Sequence, residues 1–292
     1  MAAAFLTTIL FSISAVCGRR TAQLIGGNEA NFWRLLFAAG LLAIYAHAFG
    51  GGVEGAAFPI FLVSGMIGFG IGDAALFQAL PRIGSRLSVM LVLCLSSPIG
   101  GAMEWMWLGT GLARAEIICG LIILGGVAVA LAPSGHIETP RRQFVYGILF
   151  GLVAAVCQAL GAVLSRKAFA LDGQASVDGI TAAYQRILGG VAVTAVFFVF
   201  VRWRNRSPQT PNKGKAWPWV LANGLAGPAL GVSCYQWALK TTPTGVVLPI
   251  VALTPIVIIP FARYVEGERP TVRSLIGGAV AVAGAAALAL AR

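Results

Sequence analysis

Four ionisable side chains interrupt stretches that are otherwise apolar: Arg34, Asp73, Glu104 and Arg186. A charge inside lipid costs about 2.5–3.5 kcal/mol on insertion scales, so each is a candidate for substrate or coupling chemistry. Asp73 ends the glycine-rich stretch Gly68-Phe69-Gly70-Ile71-Gly72 and is the candidate for proton coupling. Glu104 lies beside Trp105 and Trp107, a grouping equally suited to an aromatic belt at the headgroups. Arg34 and Arg186 each stand about one turn inside a helix, and we expect both to snorkel to the membrane surface.

Uncharged polar and aromatic groups complete the set. Gln78, Gln158, Tyr184, Tyr235 and Gln236 fall at membrane depth, with Phe77 and Trp237 alongside. A glutamine offers both donor and acceptor, which suits a zwitterionic amino acid. Phe77 and Trp237 could stack on an apolar ring. Proline deletes a backbone donor and frees a carbonyl, which lipid penalises unless protein or cavity water satisfies it. Pro98 and Pro255 are therefore candidate hinges, with Ser97 and Thr254 as cavity candidates beside them. Interhelical hydrogen bonding is the competing role for every one of these side chains.

Enzyme and cofactor signatures are missing. There is no GxxxxGK[ST] for ATP, no HExxH and no GxSxG elbow. His47 and His136 stand alone, and the five cysteines all fall within hydrophobic runs, where they act as small apolar residues. We expect no catalytic residues, no metal and no cofactor.

The elements that must position these groups are membrane spans. The chain has 292 residues, 58% of them hydrophobic and only 11% charged, with a mean hydropathy of +0.84. Charge-free runs cover 1–18, 35–53, 55–72, 87–103, 117–137, 143–165, 187–201, 216–239, 241–262 and 274–291. Most are long enough for a helix to cross a bilayer, which gives ten transmembrane helices and no soluble domain. The first run lacks a basic n-region and is expected to be retained as a helix. Most of the 21 Lys and Arg fall in alternate connections, on one side of the membrane. Positive charge favours the cytoplasm, so this count puts both termini outside. The net charge of +11 is then a topology signal, and a nucleic-acid partner is not expected.

The runs repeat. Ile9-Leu10-Phe11 recurs as Ile148-Leu149-Phe150, Arg34-Leu35-Leu36 as Arg186-Ile187-Leu188, and Ala79-Leu80 as Ala238-Leu239. Ser97-Pro98 is matched by Thr254-Pro255, and Gly120 by Gly277. The halves are 1–133 and 143–292, joined by a polar, proline-bounded linker at 134–142. Five helices per half is an odd number, so the second half enters from the opposite side. The expected fold is all-α and integral to the membrane, with ten helices in two inverted five-helix repeats, an architecture typical of secondary transporters.

Gly72-Asp73-Ala74-Ala75-Leu76-Phe77-Gln78-Ala79-Leu80-Pro81-Arg82-Ile83-Gly84 resembles the first EamA repeat of the drug/metabolite transporter superfamily. Ala238 to Pro243, Leu253 to Pro255 and Gly267-Glu268-Arg269 to Gly277 resemble the second. The Gly-Glu pair at Gly267-Glu268 maps onto Thr110-Gly111, so the first half lacks that carboxylate, and a structural helix-end role is expected for Glu268. Within the superfamily the chain is most similar to exporters of aromatic amino acids and related metabolites. The resemblance implies a multi-pass protein of a bacterial inner membrane, acting as a monomer on a small-molecule substrate within the bilayer. It implies export by alternating access at a cavity between the halves. Relatives are often described with cytoplasmic termini, against the charge count. A passive facilitator would share the cavity, whereas an intramembrane lipid-modifying enzyme would need clustered carboxylates that the scattered acidic residues do not offer.

Overall fold

A computed structural model describes residues 2–108, 114–131, 140–171, 177–204, 213–241, 250–251 and 253–290. These residues are helical almost throughout. The helices are α1 (Ala2–Ile25), α2 (Gly27–Ala48), α3 (Phe58–Gly65), α4 (Asp73–Leu108), α5 (Arg114–Leu131), α6 (Arg141–Leu171) and α7 (Gly179–Arg204). They continue with α8 (Lys213–Gly224), α9 (Val232–Thr241), α10 (Thr254–Glu266) and α11 (Val272–Leu290). Two π-helical stretches, Met66–Gly72 and Leu225–Gly231, join α3 to α4 and α8 to α9 without a break. Among the described residues, four helical spans are long and apolar enough to cross a membrane: Ala2–Ile25, Phe58–Gly100, Arg141–Phe169 and Gly179–Arg204.

The helices expected at 55–72 and 87–103 are two helices that meet at a kink within the run from α3 to the end of α4. Inside it Gly84 has φ +84° and ψ 161°, a conformation that breaks the helical path. Pro81 withholds a donor just before it, and the Ser88 hydroxyl donates to the Gly84 carbonyl at 2.7 Å just after. The helix therefore continues past Asp73 and turns at Gly84, about three turns beyond the end of the charge-free run. Charge-free length misplaced the turn because Asp73 is accommodated inside the helical run.

Small residues set how closely the helices approach. A methyl group on Gly126 would fall 2.5 Å from the Ala281 nitrogen, and one on Gly277 2.5 Å from the Ala130 nitrogen. Helices α5 and α11 thus touch backbone to backbone, through the same two-residue device read in both directions. This makes Gly126 the counterpart of Gly277, in place of Gly120, whose added methyl would meet only Pro98. Around this contact Met90, Leu91, Leu95, Ile123, Ala281 and Leu288 form the largest buried apolar cluster. Ile44, Leu121 and Val196 point outward, as apolar side chains do where the solvent is lipid.

At one end of the molecule, Arg19 of α1 pairs with Glu266, and Arg86 Nε donates to Glu268 Oε1 at 2.9 Å. Gly267 between the two carboxylates is in the left-handed region at φ +66° and ends α10. Glu268 thus ties the end of α10 to α4.

Packing of this kind is intolerant of added atoms. A methyl group on Gly65 would sit 1.6 Å from the Arg186 carbonyl oxygen, whereas one on Gly40 would meet nothing within 4 Å. Gly65→Ala is expected to lower the melting temperature in detergent by at least about 5 °C. Gly40→Ala is the control, expected within about 2 °C of the parent; equal effects would contradict the packing described.

Candidate functional site

Asparagine, serine and arginine side chains meet where the two π-helical stretches face each other. Each stretch follows the same glycine pattern, Gly65-x-x-Gly68-x-x-x-Gly72 and Gly224-x-x-Gly227-x-x-x-Gly231. A π turn widens the helix and leaves carbonyls poorly satisfied, which is why such turns are rare and concentrate at functional sites. Here the Phe69 carbonyl accepts a hydrogen bond from Asn31 Nδ2 at 3.2 Å.

The arginines sit against these glycines crosswise. Added methyl groups on Gly65 and Gly68 would meet the Arg186 carbonyl and Nη2, the latter at 3.4 Å. Those on Gly224 and Gly227 would meet the Arg34 carbonyl at 2.9 Å and Arg34 Nη1 at 3.4 Å. The first π-helical segment therefore packs on α7 as the second packs on α2. Hydrogen bonds follow the same relation: Arg186 Nε donates to Ser64 Oγ at 3.1 Å, and Arg34 Nη1 to Asn223 Oδ1 at 3.4 Å. Ser64 in turn donates to the Gly161 carbonyl at 2.7 Å, and Ser14 donates to Asn223 Oδ1 at 2.8 Å.

Both arginines are only 5% exposed, which corrects the expectation that they snorkel. Their guanidinium groups lie over aromatic faces, Arg34 at 4.5 Å from the Phe77 centroid and Arg186 at 4.9 Å from that of Phe69. A guanidinium is weakly hydrated and tolerates such a setting better than an ammonium group. Arg34 also forms an ion pair with Asp73 and donates from Nε to Asn31 Oδ1 at 3.0 Å. Among the described residues, Arg186 has no carboxylate partner of this kind.

These groups border a cavity of about 110 Å³. Its polar lining is Ser14, Arg34, Asp73, Gln158, Arg186 and Tyr235, and its walls include Phe11, Phe69, Leu76, Phe77, Val89, Leu93 and Val232. Of the residues singled out from sequence, Arg34, Asp73, Phe77, Gln158, Arg186 and Tyr235 come together here. The others lie elsewhere. Gln78 accepts from Arg82 Nη1 at 2.9 Å, and Tyr184 is bonded to His47 Nε2 at 3.2 Å. Gln236 is buried behind Gly179, and Trp237 is 60% exposed on the outer surface. Thr254 donates to the Val251 carbonyl at 2.6 Å. Pro255 stands in the first turn of α10, where its missing donor costs no helical bond, while Pro98 is inside α4 and packs toward Gly120. Neither proline lines the cavity. The side chains of Ser97 and Glu104 lie outside the described residues.

Sequence reasoning missed Ser14, Asn31 and Asn223, polar groups inside apolar helices that the cost of unsatisfied polarity in lipid should have flagged. It also missed the matching glycine triplets. No group of three or more His, Cys, Asp or Glu is placed to hold a metal ion among the described residues.

A helical membrane protein with a polar cavity between two similarly built halves is the frame of a solute carrier. The EamA-like transporter family matches residues 1–132 and 145–290, and the chain belongs to that family. A solved crystal structure shares the fold, with a TM-score of 0.65 and 19% identity over 97% of this chain and 94% of the other. No curated protein matches the chain.

Removing one partner of a buried ion pair leaves an uncompensated charge, at a cost of about 3–5 kcal/mol. Asp73→Asn is therefore expected to lower the melting temperature in detergent by about 10 °C. The double variant Asp73→Asn with Arg34→Gln should lose less than the sum of the two singles. Strict additivity would show that the two groups are not coupled.

Proposed function

We propose that this protein is a secondary transporter that exports small metabolites, apolar or aromatic amino acids first among them. Its substrate binds in the cavity between two inverted five-helix repeats, 1–133 and 143–292, and reaches either side by alternating access. The observation that carries this reading is a cavity with apolar walls and a few convergent charged groups, lined from both family-matched regions. That combination suits a solute with a polar head and an apolar body. Reciprocal packing of the halves supports inverted repeats, because two equivalent interfaces can exchange open and closed roles.

At about 110 Å³ the cavity has room for three or four waters, or for one small polar group and part of a side chain. An aromatic amino acid requires the walls to part, as they do when one repeat rocks against the other. Asp73 is the coupling residue in this scheme. Its carboxylate is held by Arg34 when ionised, and protonation releases that hold, so proton and substrate occupancy become linked. The arginine-rich face is assigned to the cytoplasm.

Liposomes containing the purified protein should equilibrate labelled phenylalanine faster than protein-free liposomes. If phenylalanine, tryptophan and threonine all move no faster than in empty liposomes, the amino-acid assignment is wrong. With an imposed pH gradient, accumulation against a phenylalanine gradient is expected, and Asp73→Asn should abolish it while downhill flux persists. Accumulation that ignores the gradient would make the protein a carrier without proton coupling, and Asp73 a structural residue only.

A further inference from the structure

The two halves of the site are built alike and charged differently. Contacts fix the correspondence residue by residue. The second π-helical stretch follows the first at an interval of 159 residues, so Gly65, Gly68 and Gly72 correspond to Gly224, Gly227 and Gly231. Ser64 then corresponds to Asn223, and each is the side chain that accepts from the arginine lying against it. In the α1 and α6 pair the interval is 147. Added methyl groups on Gly227 and Gly72 would meet Ser14 and the Ala154 carbonyl, and Gly161 faces Gly68 as Ser14 faces Gly227. Thr7, the counterpart of Ala154, reaches the Gly231 carbonyl at 3.5 Å.

On the same correspondence Asp73 matches Val232, and both line the cavity. Arg34 has its carboxylate at Asp73. The position related to that carboxylate on the other side holds only the isopropyl group of Val232, which packs among Ala183, Tyr184 and Ile187 of α7. Arg186 is as buried as Arg34, donates from Nε to Ser64, and makes no other hydrogen bond among the described residues. Two guanidinium groups and one carboxylate thus border one cavity, with Tyr235 beside them. Their formal sum is one positive charge, which a buried site retains only if something neutralises it.

We infer that Arg186 is the subsite for the carboxylate of the transported solute, which takes the place that the chain leaves to Val232. The planar guanidinium offers two parallel donors to a carboxylate. The solute is then a compound carrying one carboxylate on an apolar body, with that body lying toward Phe11, Leu93 and Tyr235. The inference rests on the transport reading above, and it sharpens that reading from small metabolites to small carboxylates.

The test is thermal unfolding of the purified full chain in detergent, with probes matched in shape. Phenylacetate and phenylalanine should raise the melting temperature, phenylacetamide should not, and Arg186→Gln should weaken the phenylacetate effect at least about tenfold in concentration. If acid and amide act alike, if neither acts, if the effect survives in Arg186→Gln, or if only inorganic phosphate acts, the inference is overturned. Protection by phenylacetate without phenylalanine supports the carboxylate subsite and rejects the amino-acid assignment, so the two failures are distinct. Val232→Asp supplies a second measurement that needs no ligand. Paired with Arg186, the new carboxylate should be tolerated and should abolish protection by phenylacetate. In the Arg186→Gln background the same change should lower the melting temperature sharply. An equal loss in both backgrounds would show that position 232 does not face Arg186.

Discussion

Two guanidinium groups held out of water beside a single carboxylate are the constraint around which this molecule is arranged. Neither arginine could stay buried on hydrophobic packing alone. Arg34 is held by Asp73, Asn31, Asn223 and the face of Phe77, and Arg186 by Ser64 and the face of Phe69. Those partners come from different helices, so the charges also fix how the helices sit. The glycine triplets follow from the same requirement. Only a segment without side chains lets a neighbouring backbone carry an arginine to within contact of a π turn, and Gly65 against Arg186 is the closest such approach.

Reciprocity turns this local requirement into an architecture. Each π-helical segment cradles the arginine of the other half, and α5 and α11 repeat the exchange through Gly126 and Gly277. The halves therefore meet in part through pairs of similar contacts. Among the residues that line the cavity, the exchange of Asp73 for Val232 is the one that alters charge. A symmetric scaffold with an asymmetric charge is a reasonable way to hold a fixed internal counter-ion on one side and a mobile one on the other.

Much of this was legible in the sequence. Low charge and long apolar runs implied a helical membrane protein, and the match of Arg34 with Arg186 was visible. Their depth was misjudged because a residue near the end of an apolar run looks the same whether it snorkels or turns inward. Register was misjudged too. Matching Ile9-Leu10-Phe11 to Ile148-Leu149-Phe150 gives an interval eight residues short of the one that the contacts give, about two helical turns. A slip of whole turns keeps the apolar face aligned, so hydropathy cannot detect it; the two glycine triplets, with their identical spacing, could have. Trp237 and Tyr235 illustrate the remaining limit. Neighbours but one in sequence, they point to different faces of α9, one to the outside and one to the cavity, and composition alone does not assign the face.

An experimental structure of the protein soaked with phenylacetate tests the central claim most directly. The account predicts ligand density in the cavity with its carboxylate within hydrogen-bonding distance of the Arg186 guanidinium, and the Arg34–Asp73 pair intact. Ligand bound with its carboxylate on Arg34 in place of Asp73, or outside the cavity altogether, would contradict it.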